Sequence, residues 1–247
     1  MEPFAVVLAL ASFVAAAIAA VTGFGIGSLI TPVLARAPGV AGSAGTRLAV
    51  AAVAIPHFVG TAQRFWILRR HVDRRVVLGF GITSAAGGLA GALLNSRASG
   101  RALSVVFGVL LVLAGVSELT GWIGRVRWNR RAAWAAGALS GLLGGLVGNQ
   151  GGIRSAALLG FEVPKESFVA TATAIALFVD LARLPVYLAT QGAEIAGLWR
   201  LLLVATVAVV LGTIAGARVL SRIPERGFRR VVAVLLLGLG VYMALAT

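Results

Sequence analysis

The sequence predicts an all-α polytopic membrane protein made of two inverted repeats, each a glycine-broken, re-entrant helix followed by three transmembrane helices. Three observations predict it. The 247 residues are 59% hydrophobic with a mean hydropathy of +0.97, and only 12% are charged, far from the balance of a soluble domain. The charges cluster in short stretches between long apolar runs. One pattern of glycines and apolar residues then returns, without a gap, 125 positions further on.

The apolar runs come first. In chain order they are Phe4–Val21, Leu48–Leu68, Val76–Leu94, Ala102–Leu119, Phe168–Ala189, Leu201–Val219 and Val231–Ala246. Each approaches the ~20 residues that a helix needs to cross a hydrocarbon core of ~30 Å. The first run follows Met-Glu-Pro, which lacks the positive start of a signal peptide, so it is expected to stay in the membrane. The rest of the chain leaves no room for a soluble domain of ordinary size. With no cysteine, disulfides, thiol catalysis and cysteine-ligated metals are excluded, and no cofactor or metal is implied. The net charge of +14 and pI near 12 do not indicate nucleic acid, because the arginines stand at the ends of apolar runs rather than on one face of a soluble fold.

The repeat fixes the organisation. "TGFGIGSLITPVL" (Thr22–Leu34) aligns with "VGNQGGIRSAALL" (Val147–Leu159), pairing Gly23 with Gly148 and Gly27 with Gly152. The same offset pairs "GGLAGALLNSR" (Gly87–Arg97) with "GTIAGARVLSR" (Gly212–Arg222), and "VLLVLAGV" (Val109–Val116) with "VLLLGLGV" (Val234–Val241). Residues 1–124 and 125–247 are read as two copies within one membrane domain. If each broken segment doubles back, a copy crosses three times and the copies are inverted. Loops 69–75, 119–131, 161–167 and 218–230 then share one side with a charge of +10, against +3 on the other. If the segment crosses once, the sides carry +6 and +7. The positive-inside rule favours inversion, with both termini outside.

Gly23, Gly25 and Gly27 admit three readings. A dinucleotide loop needs a soluble βαβ unit, which is missing. Helix packing suits a four-residue spacing, as in Gly87/Gly91 and Gly212/Gly216, which are read as packing sites. Alternate glycines share no helix face and each costs ~1 kcal/mol against alanine. With Pro32 close behind, a break is the preferred reading over packing alone. Broken backbone must line protein or a wet cavity. Helices resuming near Ser28 and Ile153 would point partial positive charge at the midplane from opposite sides, a site for a small anion.

At these residues a family resemblance enters. The run G-F-G-I-G-S-L-I-T-P-V-L, its second copy and the basic "RRHVDRR" (Arg69–Arg75) resemble the signature of the sulfite exporter TauE/SafE family over essentially the whole chain. The resemblance implies transport of sulfite or a related organosulfur anion, of the thiosulfate or sulfonate class, across a bacterial inner membrane. Ser28 stands where the pattern leads one to expect another glycine. Ala157 replaces Pro32 in the second copy, which also carries the polar pair Asn149-Gln150.

Polar residues within the spans are the remaining candidates. His57, Thr61 and Arg64 fall on one helical face, and His57 reads either as an interhelical hydrogen-bonding group or as part of a transport pathway. Asp180 and Arg183, three apart, read as a self-neutralising ion pair or as a proton-coupling element. Asn149, Gln150 and Arg154, beside Gly151 and Gly152, form the strongest group, since a cation in the first turn of a helix calls for a negative partner. Arg36, Arg47, Arg69, Arg70, Arg125, Arg127, Arg130 and Arg131 read as interfacial orientation signals.

A secondary anion transporter working by alternating access is therefore the first expectation, with Gly23, Gly25, Gly27, Ser28, His57, Asn149, Gln150, Gly151, Gly152 and Arg154 about the anion. A passive anion channel on the same site is the alternative. An intramembrane serine protease around Ser140 lacks a supporting base motif. The partners implied are a small anion and membrane lipid, with no nucleic acid. Small-residue faces would also allow a homodimer.

Overall fold

A computed structural model of the chain describes residues 2–22, 26–40, 45–121, 130–148, 151, 154, 158, 165–219 and 225–245. Among the described residues every regular element is helical: α1 (Glu2–Thr22), α2 (Ile26–Leu34), α3 (Gly45–Leu68), α4 (Arg74–Arg97), α5 (Gly100–Thr120), α6 (Arg130–Val147), α7 (Lys165–Gly197), α8 (Trp199–Val219) and α9 (Glu225–Leu245). Gly151, Arg154 and Leu158 are also helical. Among these residues six helices, α1, α3, α4, α5, α7 and α8, are long and apolar enough to cross a membrane. The chain is a polytopic helical membrane protein.

Local chemistry sets the helix ends. Asp73 caps α4, its Oδ1 accepting from the N–H groups of Arg75 at 2.8 Å and Val76 at 3.2 Å. These are donors that the helix itself cannot satisfy. The helix widens into one π turn over Val77–Gly81 before regular α geometry resumes. Ser99 caps α5 through the N–H of Ala102, and Gly121 ends it with φ +66, the left-handed conformation that glycine adopts most readily. At 33 residues α7 would extend roughly 50 Å, more than a bilayer core needs. Its regular course is interrupted at Gln191 (φ −138°, ψ 19°).

Small residues bring the helices together. A Cβ on Gly87 would strike the carbonyl of Ala138, and one on Gly91 that of Leu142, so α4 lies in backbone contact with α6. Gly212 meets Phe13 and Gly216 meets Ala17 in the same way, joining α8 to α1. In both pairs the residue numbers rise together, so the helices are parallel. Gly108 of α5 instead faces Gly240 and Ala244 of α9, while Gly115 faces Ala233 and Leu237. That pair is antiparallel. Gly81 meets Ile175 and Gly88 meets Val179, which makes α4 parallel to α7 as well. Close backbone approach through small residues is how membrane helices gain packing energy when lipid removes the hydrophobic incentive.

The outside and the centre differ in chemistry. Val105, Val109 and Leu113 of α5, and Leu203, Val207 and Leu211 of α8, form exposed apolar stripes at helical spacing. Arg69 stacks on Trp66 at 3.8 Å and Arg200 on Trp199 at 5.3 Å, the pairing of aromatic and basic residues usual at a membrane interface. Buried charge gathers instead on α3 and α7, which pack against each other.

Candidate functional site

Backbone defines the site's floor. Helix α1 ends at Thr22 and α2 begins at Ile26. Gly23 and Gly25 lie outside the described residues, as do Asn149, Gln150 and Gly152. Helix α6 ends at Val147. Gly148 follows with φ +75, and its N–H returns to the carbonyl of Gly144 at 3.0 Å. This left-handed cap is the physical reason that the helix stops there. Gly27 packs onto this cap: a Cβ on it would stand 2.5 Å from the Gly148 carbonyl oxygen and 3.9 Å from His57 Cδ2. The start of α2 thus touches the end of α6. Ser28, Gly151 and Arg154 are buried.

Side chains from α3 and α7 complete the centre. Asp180, Arg183 and Tyr187 recur at i, i+3 and i+7, so a single face of α7 carries them. All three are buried, as are His57, Thr61 and Arg64 on α3. His57 Nδ1 lies 2.7 Å from Asp180 Oδ2. A carboxylate accepts there, which places the ring proton on Nδ1 and leaves Nε2 as the acceptor of the neutral ring. Arg183 donates Nε and Nη2 to Asp180 Oδ1 at 3.0 and 2.8 Å, and Nη1 to the Gly144 carbonyl at 2.5 Å. Tyr187 donates to the carbonyl of Gly145. On the other side Arg64 donates Nη1 to the carbonyl of Ala19. Arg154 has Arg64, Asp180 and Arg183 as its charged neighbours.

The Asp180–Arg183 pair anticipated from its spacing is present, and His57 joins it from a position 123 residues away. No pattern in the sequence links those two. Arg64 carried a readable signal, a cation inside an apolar span on the face of His57. Tyr187 carried a fainter one, lying four residues after Arg183. Thr31 carried none: its hydroxyl is buried without a hydrogen-bond partner. It stands 3.8 Å from where a Cβ on Gly148 would be, opposite Arg183 Nη1 at 3.9 Å from the same point. Nearer the far end of α7, Asn95 donates to the carbonyl of Leu146 at 2.8 Å and accepts from Gln191 at 3.3 Å.

Charge inside a low-dielectric bundle is costly unless it is paired and hydrogen-bonded. Here Arg183 is paired with the carboxylate of Asp180, and Arg64 and Arg154 are buried in the same neighbourhood. Helices long and apolar enough to cross a membrane, with such a cluster buried among them, define a multi-pass membrane protein. Its family is also defined: the family model described as Sulfite exporter TauE/SafE matches residues 8–243, nearly the whole chain. The protein belongs to that family, whose function is sulfite exporter-type membrane transport. No curated protein and no solved structure matches the chain.

Proposed function

We propose that the protein is a secondary transporter of a small oxyanion, sulfite or a related organosulfur anion, working by alternating access around a midplane site where the α1–α2 junction meets the end of α6. One observation carries this reading. With His57 neutral, the buried arginines Arg64 and Arg183 face one buried carboxylate, Asp180, among the described residues, a surplus of one positive charge, and Arg154 is buried nearby. An oxyanion with several acceptor oxygens balances that surplus and takes guanidinium donors not already committed. Backbone N–H groups at Gly27 and Ser28, in the first turn of α2, add fixed donors. Gly23, Gly25, Asn149, Gln150, Gly151 and Gly152 belong to the same site in this reading, and His57 borders it.

Two inverted copies, 1–124 and 125–247, frame the site. The shift of 125 carries α5 (Gly100–Thr120) onto α9 (Glu225–Leu245) end for end, and these helices are antiparallel. It also carries the Gly87–Ala138 contact onto Gly212–Phe13, and Gly91–Leu142 onto Gly216–Ala17. Such exchange supports a pseudo-twofold axis in the membrane plane. Because α4 is parallel to both α6 and α7, those two consecutive helices run in the same direction, which supports a re-entrant second junction. Both termini face outward from a bacterial inner membrane in this arrangement, and the basic loop 69–75 faces the cytoplasm. The outward apolar stripes take lipid or, in part, a second copy.

Flux into proteoliposomes tests the proposal, comparing sulfite, thiosulfate, a sulfonate and inorganic sulfate with and without a pH gradient. The expected result is saturable flux of sulfite or a close relative that a proton gradient drives uphill. Arg154→Ala should weaken its apparent affinity about ten- to a hundredfold, and Arg125→Ala should leave it unchanged. Flux that only ever runs downhill identifies the passive channel instead, and no anion flux in any condition rejects the reading.

A further inference from the structure

We propose that Arg64 is the guanidinium that binds the transported oxyanion, and that Arg183 is a positioning residue that holds the second junction in shape. The assignment rests on the transport reading and deepens it. It starts from a correspondence: Ala19 and Gly144 coincide under the shift of 125, and each offers its carbonyl to a buried arginine. Both carbonyls lie in the last turn of a helix, and that of Gly144 accepts from Arg183 in addition to the Gly148 N–H. The two arginines therefore do one job in common. They differ in everything else.

Arg183 is fully occupied, with Nε and Nη2 on Asp180 and Nη1 on Gly144. An anion could reach it only by displacing the carboxylate. Arg64 has no carboxylate within 4.0 Å among the described residues, and its Nε is buried without a hydrogen-bond partner. Nη1 is thus anchored on α1 while Nε is left without a partner. A planar fork of N–H donors matches the spacing of two oxyanion oxygens. A buried cation without its own carboxylate calls for a counter-charge from elsewhere. Arg64 also lies about two turns along α3 from His57, with Thr61 between them on one face. A substrate bound to Arg64 is thus placed beside the His57–Asp180 pair without breaking it.

The test is titration of purified protein with sulfite and with thiosulfate, together with turnover in proteoliposomes. Wild type should bind one of them saturably. Arg64→Gln, which keeps an amide donor for the Ala19 carbonyl, should weaken the dissociation constant ten- to a hundredfold. Arg64→Lys keeps the charge but loses the fork, and should weaken it at least fivefold. Arg183→Lys should stay within threefold of wild type in affinity while its turnover falls. If Arg64→Gln does not elute as a monodisperse protein, Arg64→Lys decides. Wild-type affinity in either folded Arg64 variant overturns the assignment, as does a larger loss of affinity in Arg183→Lys than in Arg64→Lys. Absence of binding by the wild type overturns the transport reading itself, a different outcome from wild-type binding that ignores Arg64.

Discussion

At the first junction Arg64 closes the end of α1 through the carbonyl of Ala19; at the second, Arg183 closes the end of α6 through that of Gly144. The second junction has more. Asp180 fixes Arg183 from the side, His57 fixes Asp180 from the opposite helix, and Tyr187 holds the next carbonyl, Gly145. The two regions share one pattern of residues, yet one is braced by an ion pair and the other leaves a buried guanidinium Nε without a hydrogen-bond partner. In the proposed transporter this difference would divide support, at the second junction, from binding, at the first. The glycines divide similarly. Gly148 is needed for its left-handed backbone, and Gly27 because a neighbouring carbonyl occupies the space of a side chain.

The contrast between the junctions is most exposed at Asp180. In Asp180→Asn the shape is kept and the charge removed, which leaves Arg183 buried beside a neutral amide. Stranding one member of a buried pair costs about 3–5 kcal/mol. Thermal unfolding in detergent should show a larger loss than for substitutions at Gly27, Gly148 or Tyr187. An unchanged midpoint would mean that the second junction is not held by this pair.

Smaller effects are expected at the two glycines, through separate mechanisms. Gly27→Ala drives a methyl group into the Gly148 carbonyl and should cost roughly 1–3 kcal/mol as overpacking. Gly148→Ala has room, since Val50, Thr31 and Arg183 stand 3.7–3.9 Å from the new carbon. Its cost of about 1–2 kcal/mol comes from the left-handed backbone alone. The double variant distinguishes the two terms. Additive losses in unfolding free energy would show that the junctions do not press on each other, whereas coupling is expected for residues in contact.

The smallest effect belongs to Tyr187→Phe. The ring stays and one hydrogen bond to Gly145 is lost, a change of about 0.5–1.5 kcal/mol. Hydrogen exchange at the amides of the last turn of α6 should rise while that of α1 stays as in wild type. Equal change in both helices would contradict a brace confined to the second junction.

Much of this architecture is legible in the amino-acid order. The first six apolar runs fall within α1, α3, α4, α5, α7 and α8, and the described part of the seventh within α9, because a backbone in lipid must satisfy its own polar groups and the helix does this locally. Gly87, Gly91, Gly212 and Gly216 can be read as packing positions because a four-residue spacing places small residues on one face. Asp180 and Arg183 can be paired for the same local reason. The candidate site is legible only in part. His57, Arg154, Asp180 and Arg183 are conspicuous as polar residues in apolar surroundings, whereas Thr31 and Tyr187 look like ordinary helix residues.

Composition and periods a few residues long were enough to set the class of protein, the positions of its helices and the presence of costly charges inside them. Which charges meet was settled by tertiary packing. It brought His57 to Asp180, set Gly27 against Gly148, and turned two arginines on separate helices toward Ala19 and Gly144. Distance along the chain does not encode such meetings. Charges far apart in an extended chain scarcely interact in water, and only packing into a low-dielectric interior makes their separation and their pairing matter.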